Sequence, residues 1–200
     1  MLLVIDSATA ACSAALLGPD GGLIDERHEL VGRGHAERLL PLIAELLAGR
    51  TPESILVDCG PGSFTGVRVG IAAAQGLAIG WRVPLAGYSS LAAIAAASGE
   101  AEVAVALAGG HGELFVQSYG GDPLAPLDDL RSLAPADAAA LVRAEVVLGS
   151  GAEALVAARG FGRCRDALPR AADARLLPPA LRGLAPRPIY GRAPDARPMR

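Results

Sequence analysis

The residues best equipped for chemistry are gathered in one run, Gly60-Pro61-Gly62-Ser63-Phe64-Thr65-Gly66-Val67-Arg68-Val69-Gly70. Its glycines and proline impose an unusual backbone path, and Ser63 or Thr65 is placed to cap a helix that starts after them. A helix start offers free amides and a positive dipole end, so with Arg68 one turn on, the run has the parts of an anion site. It lacks the GxGxxG and GxxxxGK spacings of dinucleotide and P-loop fingerprints. Residue chemistry therefore leaves two readings, a ligand or partner site and a structural turn. Phe64, a bulky apolar residue at the tip of such a loop, is either tucked beneath it or offered to a partner.

Asp6-Ser7-Ala8-Thr9 follows the first apolar run, where an aspartate could face a metal-bound phosphate. A nucleotide-binding hairpin there usually needs glycine for close backbone approach, and Ala8 stands in the middle. The competing reading is a turn in which Asp6 and Ser7 satisfy local backbone donors. His28, His35 and His111 form no i, i+4 pair and no HExxH, which argues against a histidine metal site. All 18 basic residues are arginine, so no Walker, Schiff-base or kinase-type lysine exists. No GxSxG elbow occurs. Cys12, Cys59 and Cys164 are far apart and odd in number, and are read as small buried hydrophobes in a reducing compartment. With no recognisable base, metal set or phosphate lysine, binding is the default role.

The elements that must position these residues follow from periodicity. Leu2–Asp6, Cys12–Leu17 and Leu23–Leu30 read as a three-stranded meander, the last two joined by the turn Gly18-Pro19-Asp20-Gly21-Gly22. Leu39, Leu40, Ile43, Leu46 and Leu47 recur at helical spacing, with Pro41 tolerable only in a first turn. Ile55–Cys59 is a buried strand. A helix from about Val67 to Gly80 follows, with Val67, Ile71, Ala74 and Ala78 on one face and Arg68 and Gln75 on another. A short strand, Pro84–Gly87, precedes an alanine-rich helix that Ser89 or Ser90 caps. The second half begins the same order again, with strands at Val103–Leu107, Leu114–Tyr119, Leu127–Leu130 and Glu145–Leu148 and helices at Ala136–Arg143 and Ala152–Arg159. This predicts an α/β chain of two lobes, residues 1–100 and 101–200.

With 52% hydrophobic and 20% charged residues, the chain has enough apolar surface for a core. No apolar run reaches membrane-spanning length, and the N-terminus lacks the basic flank and long apolar core of a leader, which predicts a cytoplasmic protein without membrane contact. A net charge of -3 predicts no strong independent binding to nucleic acid. The last fourteen residues, with Arg187, Arg192, Arg197 and Arg200, are the place where a local basic patch could form, although Pro194-Asp195-Ala196-Arg197-Pro198 reads as extended or frayed. From about residue 186 the tail either packs back on the first lobe or frays.

Three segments carry a resemblance: GPGSFTGVRVG at 60–70, Gly34-His35-Ala36-Glu37-Arg38-Leu39-Leu40-Pro41-Leu42-Ile43, and Pro188-Ile189-Tyr190-Gly191-Arg192. In that order they resemble the bacterial TsaB (YeaZ) family. The resemblance implies the actin-like, Hsp70-like (ribonuclease H-like) ATPase superfold, with two lobes of duplicated βββαβα order. It implies a non-catalytic scaffold in synthesis of threonylcarbamoyladenosine in transfer RNA. The partner it implies is a TsaD-like transferase acting on the adenosine next to the anticodon, with a TsaE-like ATPase joining them, transfer RNA contacted only indirectly, and a homodimer when alone. It assigns pairing to helices at about 35–48 and 66–80, giving His35, Glu37, Arg38, Leu42, Gly62, Ser63, Phe64, Thr65, Arg68, Ile71, Ala74 and Gln75 as interface residues. Asp6, Ser7 and Thr9 become a vestigial phosphate loop, with no intrinsic cofactor and ATP or ADP held, if anywhere, at the partner interface. The transferase relative binds metal through His-x-x-x-His, and Tyr88–Ile94, the comparable region here, has no histidine. The chain departs from the family at Ala108-Gly109-Gly110-His111, where many members carry Asp-Ala-Arg before Gly-Glu-Val-Tyr. The alternative is a free-standing ATP-dependent enzyme of the same superfold, using Asp6 and residues 60–66.

Overall fold

Two sheets of the same winding organise the chain in a computed structural model that describes residues 1–32 and 34–191. In the first lobe β1 (Leu2–Asp6), β2 (Ala11–Leu17) and β3 (Leu23–Leu30) form the meander, followed by α1 (His35–Leu47), β4 (Ser54–Asp58), α2 (Phe64–Trp81), β5 (Leu85–Tyr88) and α3 (Ser90–Ala96). The strands lie in the order β3-β2-β1-β4-β5. The second lobe has β6 (Glu102–Ala108), β7 (Leu114–Gly120), β8 (Ala125–Pro126), β9 (Arg131–Leu133), α4 (Pro135–Leu141), β10 (Val146–Leu148), α5 (Ala152–Arg159) and β11 (Arg163–Arg165). Its order, β8-β7-β6-β10-β11, repeats the first winding, with β9 also paired to β7. The parallel and antiparallel pairings repeat too. This is the two-lobed, actin-like α/β fold.

Alternation within the strands distributes the core into layers. Leu3 and Ile5 of β1 face α1 and α2, while Val4 points to the opposite side. In β6, Ala104 and Ala106 face α4 and α5, and Val103, Val105 and Leu107 turn inward. Between the sheets one continuous cluster unites Val4, Leu56 and Tyr88 with Leu91 and Ile94 of α3, Val105 and Tyr119, and Ala171 of a later 3₁₀ turn with Leu177 just after it. The lobes therefore share a core. Residues 170–190 strap them further: the Ala171 amide donates to Ser13 Oγ at 3.0 Å, and Arg170 pairs with Glu26 at 2.5 Å. Leu184 bridges Gly87, and the Ile189 amide donates to the Cys59 carbonyl at 2.8 Å.

Five local expectations are corrected. Pro41 lies in the second turn of α1, on its exposed face, where the carbonyl its ring leaves unpaired can be hydrated. The strand at Leu127–Leu130 is absent and short pairings flank that stretch. The Asp128 carboxylate accepts the Ser118 amide at 2.8 Å, taking the place of a strand carbonyl. The helix after the glycine-rich run starts at Phe64, three residues earlier than Val67, because Ser63 caps it. Ser89 stands at the N-cap of α3 without a side-chain capping bond, and the Ser90 hydroxyl is taken by Asp58. Cys164 is exposed, while Cys12 and Cys59 are buried. Arg192, Arg197, Arg200 and the Pro194–Pro198 stretch lie outside the described residues. Among those described, no helix is long and apolar enough to cross a membrane.

A core common to both sheets should make unfolding a single event. Leu91→Ala, at a fully buried position of that core, is expected to cost about 2–5 kcal/mol. Denaturation followed by Trp81 fluorescence and by far-ultraviolet dichroism should then shift as one coincident transition, whereas separated transitions would show independent lobes.

Candidate functional site

The turn at residues 6–9 presses directly on the glycine-rich loop and on α2. A Cβ at Gly62 would stand 2.1 Å from the Ala8 carbonyl oxygen, one at Gly66 would stand 2.1 Å from that of Ser7, and one at Gly70 would stand 2.5 Å from Ser7 Oγ. The missing side chains permit backbone to lie on backbone. The Ser63 amide donates to Ala8 O at 2.6 Å, and Ser7 Oγ donates to Gly66 O at 2.9 Å. Ser63 Oγ accepts the Gly66 amide at 3.2 Å, and the Gly60 amide donates to Asp58 Oδ1 at 2.7 Å. Three amides of the run, those of Gly60, Ser63 and Gly66, are thus used within the protein. Of the two readings left open for this run, its root is structural.

Asp6 and Asp58 meet beneath the loop, 0% and 1% exposed. The Ala8 amide donates to Asp6 Oδ1 at 3.1 Å, the Tyr88 hydroxyl lies 3.5 Å from Asp6 Oδ2, and the Ser90 hydroxyl is 2.6 Å from Asp58 Oδ2. Burial, reinforced by the facing Asp58 charge, raises the Asp6 pKa well above the usual carboxylate range, so Asp6 holds the proton and donates it toward Asp58. Burial also raises Asp58, to about 6, against the pull of Ser90 and the Gly60 amide. Asp6 is therefore sealed beneath the loop in its protonated form. Thr9 serves the turn instead: its hydroxyl accepts the Ala11 amide at 3.3 Å and its carbonyl lies 2.8 Å from His35 Nε2. Among the described residues, no three His, Cys, Asp or Glu side chains gather as metal ligands would.

The proposed interface residues divide into two groups. Leu42, Ile71 and Ala74 are core residues, which corrects their assignment to a contact surface: they fall on the inner stripes of α1 and α2. His35 is also buried, its Nε2 donating to Thr9 and Ala11 carbonyls. Arg38 ties α1 to β3 through a two-pronged pair with Glu29 and reaches Glu45 on its own helix. Glu37, Ser63, Phe64, Thr65 and Gln75 are exposed, and Gly62 and Arg68 are half-buried. Phe64 is 71% exposed, so its ring is offered rather than tucked away. Arg68 stacks 3.3 Å from the Phe64 centroid and 5.3 Å from that of Tyr190, and donates to Phe64 O at 2.6 Å and Tyr190 Oη at 2.7 Å.

These side chains line one mouth of a cavity of about 800 Å³ between the lobes. Gly109, His111 and Phe115 line the other side, where the chain departs from the family pattern. His111 sits in left-handed backbone at φ 60°, and the turn closes with the Gly109 amide on Glu113 O at 2.7 Å and Ser132 Oγ on Glu113 Oε2 at 2.6 Å. Sequence reasoning missed the outward face of α2. Ala72, Gln75, Gly76, Ile79 and Gly80 are exposed at i, i+3, i+4, i+7 and i+8, with Ile79 at 78%. Gln75, the polar member, donates to Pro186 O at 3.2 Å. The signal was available: beyond its first turn, α2 has only Arg68 and Gln75 as polar side chains.

Two outcomes follow. Gly66→Ala should cost about 1–3 kcal/mol in denaturant unfolding because its methyl meets backbone, while Gly76→Ala, in open space, should be neutral or better. Raised carboxyl pKa values mean that the folded state holds protons more tightly, so this stability is full below about pH 4 and is lost as pH rises through about 6. Asp58→Asn should therefore gain on wild type by about 2 kcal/mol between pH 4 and pH 7 in paired unfolding curves. Parallel curves would contradict the buried pair.

Comparison with known proteins agrees with this geometry. Residues 17–145 match the family model described as "TsaD: tRNA N6-adenosine threonylcarbamoyltransferase". The chain is 39% identical over 129 residues to the tRNA threonylcarbamoyladenosine biosynthesis protein TsaB of Escherichia coli, covering 59% of this chain and 54% of that protein. It thus spans about half the length of that curated relative. An uncharacterized protein of Mycobacterium tuberculosis is 32% identical over 214 residues, covering 99% of this chain and 94% of its own length. The solved structure of YeaZ from Pseudomonas aeruginosa superposes with a TM-score of 0.79 at 28% identity, over 94% of this chain and 98% of that one. By sequence and by structural similarity, and with a TsaD family-model match over most of its length, the chain belongs to the bacterial TsaB (YeaZ) family.

Proposed function

We propose that the chain is a non-catalytic subunit in synthesis of threonylcarbamoyladenosine, binding and activating a TsaD-like transferase that modifies the adenosine next to the anticodon. The observation that carries this reading is α2. A helix apolar nearly all round is normally buried on all sides, and this one leaves Ala72, Gly76, Ile79 and Gly80 open to solvent. A Cβ at Gly76 or Gly80 would meet nothing, so a partner helix can approach this face closely. Phe64 extends it to the mouth of the interlobe cavity, and exposed Leu40 lies on neighbouring α1.

The chemistry in hand supports binding rather than turnover. The acid pair is sealed, the Gly60, Ser63 and Gly66 amides are tied to the protein's own oxygens, and the lobes share a core and a strap where a closing enzyme would need a hinge. In this reading a TsaE-like ATPase joins the pair in the cytoplasm, ATP or ADP is held at the shared interface, and the same α2 face forms a homodimer when the transferase is absent.

The contact moves from Ile71 and Ala74, which a charge would simply destabilise, to Gly76. Gly76→Arg should melt at or above the wild-type temperature, since arginine is the better helix former by roughly 0.7–1 kcal/mol. It should nonetheless lose transferase binding at least tenfold in calorimetric titration, because it lays a charge across the contact. Undiminished pairing by the folded variant would remove α2 from the interface.

A further inference from the structure

Pairing through α2 leaves the far edge of the second lobe unused. There Arg159-Gly160-Phe161-Gly162-Arg163-Cys164-Arg165 joins the end of α5 to β11, the outermost strand of its sheet. Gly160 at φ 75° and Gly162 at φ 89° both take left-handed backbone, so the chain turns sharply on either side of Phe161 and holds its ring 45% exposed. Arg159 lies 4.3 Å over that ring, fixed by the carbonyls of Ala144, Glu145 and Phe161. Arg163 and Arg165, two apart on the strand, share a face and are exposed. Neither enters an ion pair among the described residues, and the hydrogen bond that Arg165 makes, to Ser98 O, is long at 3.5 Å.

We propose that this edge is an RNA contact, with the Arg163 and Arg165 guanidiniums meeting backbone phosphates and Phe161 stacking on an unpaired base. Planar guanidiniums with open donors suit phosphate, and an exposed aromatic beside them suits a base. Charge on an edge strand also wards off other strands. That purpose explains Arg163 and Arg165, but not an aromatic ring held in the open between two left-handed glycines. In a chain of net charge -3, the stretch from Arg159 to Arg165 holds three arginines and no acid. The surface is thus a local positive strip on an acidic protein. The inference rests on the function proposed above, which supplies transfer RNA as the polyanion, and it makes this subunit touch that RNA directly.

The test uses the full chain assembled with its transferase partner and an unmodified transfer-RNA transcript, with affinity read by filter binding across a salt series. Arg163→Ala/Arg165→Ala should weaken binding roughly tenfold and flatten the slope of log affinity on log salt by about 1.5, close to two phosphate contacts. Phe161→Ala should weaken binding with the slope unchanged. Both variants should melt as wild type and pair normally with the transferase. Unchanged RNA affinity would overturn the proposal while leaving the pairing role intact. Loss of RNA binding through loss of pairing would overturn it in favour of a protein contact. A wild-type assembly that fails to bind the transcript would also overturn the proposal, whereas failure of the wild-type chain to assemble with the transferase would remove the pairing reading.

Discussion

The structure depends on one close approach, the backbone of residues 6–9 lying on the loop at 60–66 and the first turns of α2. Gly62, Gly66 and Gly70 make it possible by having no side chain where Ala8 and Ser7 must pass. Once made, this contact fixes three things together. It orients α2 from its first turn, it seals Asp6 against Asp58, and it uses loop amides that could otherwise hold an anion. A motif with the look of a phosphate cradle is in this chain a joint between two strands and a helix.

That joint explains why the proposed contact lies on the outside of α2. With its inner stripe, Val67, Ile71, Ala74 and Ala78, committed to the first-lobe core, the helix can present a partner only with Phe64 at its start and the Ala72-to-Gly80 face along its length. The shared core and the strap from Arg170 to Tyr190 hold this surface in fixed relation to the second lobe. A rigid surface loses little freedom on association. The same rigidity works against lobe closure of the kind that would gather catalytic groups around a substrate.

Much of this was legible in the sequence. Alternation and turn chemistry gave the meander, and helical spacing gave α1 and the buried stripe of α2. Element order pointed to duplication, which the shared winding of both sheets bears out. What stayed hidden were properties of tertiary contact. Nothing local tells that Asp6 faces another carboxylate, because Asp58 is 52 residues away in sequence and arrives through parallel pairing of β1 with β4. Pro41 looked confined to a first turn because the apolar spacing begins at Leu39, while the His35 contact with Thr9 and Ala11 anchors the helix earlier. The strand at Leu127–Leu130 failed because Asp128 uses its side chain where a strand would use its backbone. The residues that family resemblance assigned to the interface include His35, Leu42, Ile71 and Ala74, which are buried, since motif matching does not distinguish the inner face of a helix from the outer.

The central claim, that this chain acts by binding and activating a transferase, is tested most directly by reconstitution. Threonylcarbamoyl transfer to a transfer-RNA transcript would be measured with a TsaD-like transferase, a TsaE-like ATPase and threonylcarbamoyl-adenylate, with and without this protein. The account predicts that modification depends on the chain and rises until the chain is equimolar with the transferase. Equal modification in its absence, or turnover by the chain without the transferase, would contradict it.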